Sequence, residues 1–400
     1  MWTSRLLGAL LLLLCFQLHT HASAGPGPTV PTTAASSIGI PAQQLDDEAA
    51  RLSAKYGKRF VRCSVPLYPH CDVYLCGTLH VAKTSAEMVS DVVRGIKPHF
   101  VVLELCESRL DSLYEIDTNE QLAANVTLGF VLRSSWEDRS FKTLGMGLLS
   151  WMQLKAAAVM GSKLGGELSM AAKEGALLQP PAHVVLGDRL YGVTIQRVFD
   201  ELGALEKLRM GALLLWEVVT LSVFRLKEYV RKTEVDDDFI NDEIARFGRW
   251  LPTFARVIVG ERDEYMAQTL LEIARVGFGD AAKIAAAAAA SAAAAAAAGG
   301  VAGAAGVAGG EGGGGRGGKG GTSAGAVPAP PPRGRILAVC GAAHLAGIQR
   351  CLAAGGCSEE HVRNISSSSK HNATWPGRGM LQVVNSKLLW GAAGPGMGTV

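Results

Sequence analysis

Two segments of the chain share one pattern. Val73-Tyr-Leu-Cys-Gly-Thr-Leu-His80 and Leu337-Ala-Val-Cys-Gly-Ala-Ala-His344 each run through mostly apolar residues to Cys, Gly, two further residues and a His. Each reads as a β-strand that ends in a Gly-x-x-His step where a helix begins. In open α/β sheets, ligands bind outside the carboxyl ends of the strands. An imidazole there can ligate a metal ion or carry a proton. The glycine lets the chain turn sharply or approach a neighbour closely. One such histidine more commonly ties down a loop. The recurrence of the motif is what puts His80 and His344 first among the candidates.

Carboxylates stand at similar places. Glu104 closes the apolar run Phe100-Val-Val-Leu, with Glu107 and Arg109 just after it. A carboxylate at the end of a buried strand is costly without a partner. Glu104 can therefore ligate a metal, act as a base, or pair with Arg109. Glu167 opens a helix in Gly165-Gly-Glu-Leu-Ser-Met170, where matching the helix dipole is a sufficient reason for an acid. Asp188 follows the run His183-Val-Val-Leu-Gly187 and has Arg189 and Arg197 as candidate partners. Glu261-Arg262-Asp263 reads as a helix start, where capping would account for the acids.

The elements that must position these residues follow from periodicity. Strands are expected at Asp72–Cys76, Phe100–Glu104, His183–Gly187 and Arg335–Cys340. A helix spans Ser85 to Ile96, with Ser85 as its N-cap and Met88, Val89, Val92, Val93 and Ile96 as its apolar stripe. Strand, helix and continuous apolar strand make a βαβ unit of a parallel sheet buried on both faces. The stretches 110–180 and 197–247 read as mostly helical. Leu213 to Phe224 is strongly apolar, but Glu217 interrupts it, so a buried helix is expected rather than a membrane span. The fold class is therefore α/β, with a mostly parallel sheet, flanking helices and a large helical portion.

Composition sets the boundaries. The 400 residues carry a formal charge of +3, without a dense Lys/Arg block, which argues against nucleic acid as a partner. Residues 1–24 have a basic start, an apolar run from Leu6 to Leu18 and a small-x-small site at Ala22-Ser-Ala24. They read as a signal peptide, directing the chain to the secretory pathway or outside the cell. The alternative is a transit peptide for a mitochondrion or chloroplast, since no acid precedes Asp46. Sequons at Asn125, Asn364 and Asn372 agree weakly with secretion. Residues 25–45 form a Pro/Thr/Ala linker, and Asp46-Asp-Glu48 supplies an acidic helix start. The core then covers 46–279 and 334–357, interrupted by a low-complexity Ala/Gly/Pro insertion at 280–333 that is expected to be disordered. Residues 358–400 read as an irregular tail. Seven cysteines follow the leader, an odd number; Cys63 and Cys71 flank a loop that they could close, and no CxxC pair suggests a zinc ribbon.

The pieces CGTLHVAKTSAEMV, KPHFVVLELCESRL, GGELSMAAKEG, LGDRLYGVTIQRV, GERDEYMAQTL and VCGAAHLAGI, taken in this order, resemble the TraB family, which includes the PrgY pheromone-shutdown proteins and is related to the TIKI proteases. The resemblance implies an EreA/ChaN-like fold and a divalent-metal peptidase that uses both Gly-x-x-His histidines and a glutamate. Carried to this chain, it makes His80, His344 and Glu104 or Glu167 the metal-site candidates, with Zn, Mn or Co as the ion. Glu104, Glu167 and Arg109 are the catalytic candidates. Asp188, Arg189, Arg262 and Asp263 match family positions without an assigned role. The expected function is a metal-dependent hydrolase of peptides or small signalling ligands, with no transmembrane helix left after signal cleavage. The competing readings are a ligand-sequestering protein that does not turn over, and a membrane-organising protein held by an uncleaved leader.

Overall fold

The computed structural model describes residues 41–79, 83–113, 127–139, 143–145, 147–148, 151, 165–220, 228, 231–232, 239–279, 333–369 and 383–384. His80, Asn125, Asn372, the leader and the insertion up to residue 332 lie outside them.

A six-stranded sheet organises the chain. Its strands are β1 (Phe60–Ser64), β2 (Cys71–Thr78), β3 (Phe100–Leu103), β4 (His183–Leu186), β5 (Gly334–Gly341) and β6 (Val383–Val384), in the order β1-β2-β5-β3-β4-β6. The four inner strands are parallel, and β1 and β6 run antiparallel at the two edges. The fold class expected from the sequence is the one observed.

Helices α1 (Ala42–Tyr56), α2 (Lys83–Ile96) and α4 (Gly166–Leu177) cover one face. Between α2 and α4 in sequence lies α3 (Leu128–Asp138), which belongs to a separate helical lobe. The lobe also takes in α5 (Tyr191–Glu201), α6 (Ala204–Thr220), α7 (Phe239–Trp250) and the short α8 (Pro252–Ala255). From α8 the helix runs without a break through a π-helical turn, Arg256–Gly260, into α9 at residues 261–279. The other face of the sheet is covered by α9 and α10 (Leu345–Ala353). A last helix, α11, spans Glu359–Ile365.

Period-2 alternation explains the two-sided burial. Val73 and Leu75 of β2 pack with Ile336, Ala338 and Cys340 of β5 under α9 and α10. Tyr74 and Cys76 pack with Leu337 and Val339 under α2 and α4. The two Gly-x-x-His segments thus lie side by side and parallel. They are offset by one residue, since Gly77 pairs with Cys340 and Thr78 with Gly341. A one-residue offset turns equivalent side chains to opposite faces. Cys76 and Cys340 accordingly belong to different cores, and the likeness of the two segments is one of sequence, not of symmetry. Gly341 has an ordinary extended backbone (φ −59°). Gly77 has the closer need for glycine, because a Cβ there would meet Leu345 Cδ1 at 2.5 Å.

Several local expectations change. The first helix begins at Ala42, inside the expected linker, and places Asp46-Asp-Glu48 beyond its first turn. Ser85 lies inside α2, and its hydroxyl bridges the backbone N–H and carbonyl of Leu79 at 2.9 and 3.0 Å. Glu261-Arg-Asp263 is not a helix start, because the helix begun at Pro252 runs on through Gly260 in the π-helical turn. Helix α6 is not fully buried: it buries Met210 and Leu214 but leaves Leu215 66% exposed. The expected tail contains α11 and β6. Cys63 and Cys71 are both free, since β1 and β2 pair Cys63 with Val73 and turn Cys71 toward Gly334. Among the described residues, no helix is long and apolar enough to cross a membrane.

The edge of the sheet opposite the strands' carboxyl ends yields a stability prediction. His99 precedes β3, and its Nδ1 accepts a hydrogen bond from Arg335 N at 3.1 Å. Burial, and then the Arg335 charge, push the His99 pKa down to about 4. The neutral imidazole is favoured by folding, so its contribution is complete above the unfolded value near 6.5. It is lost as pH falls through about 4, to an upper limit of about 3 kcal/mol. Urea titrations at pH 7.5, 6 and 5 should show the wild type losing stability faster than His99→Gln. Parallel losses would sink the assignment.

Candidate functional site

The site forms where two adjacent strands send their chains to opposite faces. The chain leaving β3 packs Leu105 and Leu113 on one face, and the chain leaving β5 enters α10 on the other. Such a divergence opens a crevice at the carboxyl ends of the strands. Glu104 follows β3 directly, and His344 closes the 3₁₀ turn Ala342–His344 that joins β5 to α10. Glu104 N donates to Val339 O at 3.0 Å, which continues the ladder to the rim. From the neighbouring strand, β4, Gly187 and Asp188 follow, with Asp188 N bonded to Leu105 O at 3.1 Å.

Helix α9 crosses above this rim and supplies the central charge. Arg262 is 1% exposed and its guanidinium joins three side chains, besides donating from Nη1 to Ile258 O at 3.3 Å. Its Nε and Nη2 donate to the two oxygens of Asp188 at 3.0 and 2.8 Å. Nη2 also donates to Glu104 Oε1, and Nη1 lies 3.1 Å from His344 Nε2. Arg109, from the 3₁₀ segment Glu107–Leu113, donates to Asp188 Oδ2 at 2.7 Å and to the Glu104 carbonyl at 3.4 Å. Glu104 Oε2 accepts the backbone N–H of Gly341 at 2.6 Å. Next to Arg262 on α9, Asp263 Oδ1 meets His344 Nδ1 at 2.6 Å.

The carboxylates and bases perturb one another. Burial favours the neutral form of Asp188, but Arg262 and Arg109 outweigh it and hold the carboxyl below its ordinary range. Burial pushes Asp263 up to about 6, against the pull of His344 and Arg262. For His344, burial lowers the pKa, Glu104 raises it and Arg262 opposes; Asp263 and its hydrogen bond then bring the value up to about 9. Nε2 of His344 faces two partners with opposite demands. Glu104 Oε1 at 3.3 Å wants a proton on it, and Arg262 Nη1 at 3.1 Å, which can only donate, wants a lone pair. Either protonation state therefore has a partner, which suits a group that takes up and returns a proton.

The structure brings together Glu104, Arg109, Asp188, Arg262, Asp263 and His344. The partners differ from those expected. Glu104 pairs with Arg262 rather than Arg109, and Asp188 pairs with Arg109 and Arg262 rather than the guanidiniums of Arg189 or Arg197. Arg189 gives only its backbone N–H to Asp188. Its guanidinium joins Arg197 and Arg256 on Glu261, which stands behind the site. That second charged layer was not foreseen, since Glu261 and its arginines lie five to 72 residues apart. Glu167 is buried in the first turn of α4, whose Ser169 hydroxyl reaches Leu113 O at 3.4 Å; the helix thus stands against the Arg109 segment. His80 lies outside the described residues, one position beyond Leu79. Asn364 is exposed near the end of α11.

The chain is 30% identical over 212 residues to an uncharacterized protein of Methanocaldococcus jannaschii, covering 51% of this chain and 48% of that one. It is 30% identical over 207 residues to a TraB domain-containing protein of Homo sapiens, covering 51% and 53%. The Mus musculus TraB domain-containing protein gives 30% over 209 residues, covering 51% and 53%. The chain thus spans about half the length of the curated relatives it matches. The model of the TraB/PrgY/gumN family matches residues 68–281. That span carries Glu104, Arg109, Glu167, Asp188, Arg262 and Asp263, and β5 with His344 completes the same sheet from beyond it. The chain belongs to the TraB/PrgY/gumN family.

Proposed function

We propose that this protein is a divalent-metal-dependent hydrolase that acts on peptides, with its centre at the carboxyl edge of β3 and β5. The observation that carries the reading is the 3.3 Å between His344 Nε2 and Glu104 Oε1, with the far side of the imidazole anchored on Asp263. Two donors about 2.1 Å from one tetrahedral ion lie roughly 3.4 Å apart. Ligating histidines generally bind a carboxylate through their other nitrogen. The spacing therefore fits a zinc-type ion, which would displace Arg262 from His344 and Glu104 and take His80 as the third ligand by sequence position. When bound, the ion would polarise a scissile carbonyl and lower the pKa of a water molecule.

The other groups have their own tasks. Asp263 orients His344. Asp188 and Arg109 fix Arg262, whose guanidinium is placed to hold a carboxylate or a developing oxyanion. Glu167 serves as the candidate general base. The secretory leader supports extracellular or luminal peptides as substrates. A second reading, a family member that holds its ligand without turnover, is favoured by Arg262, which already engages both candidate ligand atoms.

Elemental analysis of the purified protein, beside the double variant His80→Ala/His344→Ala, separates the two. The hydrolase reading expects the variant to hold one equivalent of Zn, Mn or Co less than wild type and to lose hydrolysis of a peptide library. Equal metal content in both, with unchanged circular dichroism, would overturn it and favour the ligand-holding protein.

A further inference from the structure

A second set of metal-type donors lies outside this centre. Glu264, Cys357 and His361 each present one ligand atom, and the three atoms lie within 4.8 Å of one another. They come from three places: Glu264 from α9, Cys357 from the loop after α10, and His361 from α11. Local backbone geometry brings them together. Gly355 and Gly356 have φ of 81° and 88°, a left-handed pair that reverses the chain at the end of α10. Gly356 N bonds back to Cys351 O at 2.8 Å, so the next residue, Cys357, returns toward the helix it left. Its backbone N–H reaches Gln268 Oε1 on α9 at 3.4 Å. Ser358 then caps α11, which carries His361 Nε2 to 2.8 Å from Glu264 Oε2.

We propose that Glu264, Cys357 and His361 form a second metal site, for a thiolate-binding divalent cation of the zinc class, with the fourth position open to solvent or a ligand. Mixed carboxylate, thiolate and imidazole donors are zinc's preferred set, and a thiolate selects against magnesium and calcium. The site is open to solution, since the side chains of His361 and Glu264 are 44% and 32% exposed. An exposed His–Glu pair adds little to stability, and it gives no reason for a thiol to converge on the same point. An ion here clamps α11 and the α10 turn onto α9 one residue from Asp263, which orients His344. The proposal is independent of the hydrolase reading, because the two centres share no ligand.

Cobalt(II) added to the reduced full-length chain tests it. The expected result is a thiolate-to-cobalt charge-transfer absorption in wild type. It should be absent in Cys357→Ser, at least tenfold weaker in cobalt affinity in His361→Ala, and retained in His344→Ala. Zinc should displace the cobalt and raise the melting temperature of wild type but not of Cys357→Ser. No charge-transfer absorption in the reduced wild type overturns the proposal, as does one that survives in Cys357→Ser. Loss of metal only in His344→Ala would likewise leave the hydrolase centre standing and remove this one.

Discussion

Arg262→Met should cost about 3–5 kcal/mol of folding stability, a large share of the roughly 5–15 kcal/mol that holds a domain folded, because a buried ion pair broken on one side leaves its partner with less compensation. Arg262 is enclosed by Asp188, Glu104 and His344, and its departure takes a cation from two carboxylates at once. Asp188 would keep Arg109, but Glu104 would keep only the Gly341 N–H and His344 among the contacts described above. Arg262→Lys should rescue little. A single ammonium cannot make the forked bond to both Asp188 oxygens while also facing Nε2 of His344. The triple variant Arg262→Met/Asp188→Asn/Glu104→Gln should regain part of the loss, since its carboxylates no longer carry charge. Urea unfolding followed by circular dichroism measures all three. A loss under about 1 kcal/mol for Arg262→Met would mean that water or rearrangement replaces the guanidinium, and the closed network described here would be wrong.

How far the sequence discloses such a network depends on the range of each interaction. Strands β2, β3, β4 and β5 are readable because two-sided burial leaves a continuous apolar run, a local signal. The rim positions of Glu104, Asp188 and His344 follow from where those runs stop. The antiparallel edge strand β1 escapes notice, since it carries Arg62 and Ser64 among its apolar residues and so leaves no continuous apolar run. Pairing is not local. Arg262 and Glu104 are 158 residues apart, and Arg109 and Asp188 are 79 apart. Nearness in sequence instead suggests Arg109 for Glu104 and Arg189 for Asp188, and both guesses fail for the same reason. A strand-end carboxylate points into the crevice, and the crossing helix α9 reaches it before its own neighbours in the chain can. The position of Asp263 was similarly misjudged as a helix start. The helix from Pro252 runs on through a π turn, a feature common at functional sites and silent in apolar periodicity.

His344→Ala should lower hydrolysis by 10²–10⁴-fold or more, because it removes a candidate ligand and an imidazole with a partner in both protonation states. Asp263→Asn should cost less, about 10–100-fold in activity or metal affinity, as is usual when the group behind a functional histidine loses its charge. Gly347 connects the two. It lies on α10, three residues after His344, and a Cβ there would land on the Asp263 carboxyl group. Gly347→Ala must therefore push Asp263 away from Nδ1 or shift α10 from α9. If the first is what happens, Gly347→Ala should match Asp263→Asn. The double variant should then be little worse than either single one, since residues that act through one contact are not additive. Full additivity would show that the methyl group acts by moving α10 as a whole. His344 would then owe its placement to helix packing rather than to the Asp263 hydrogen bond.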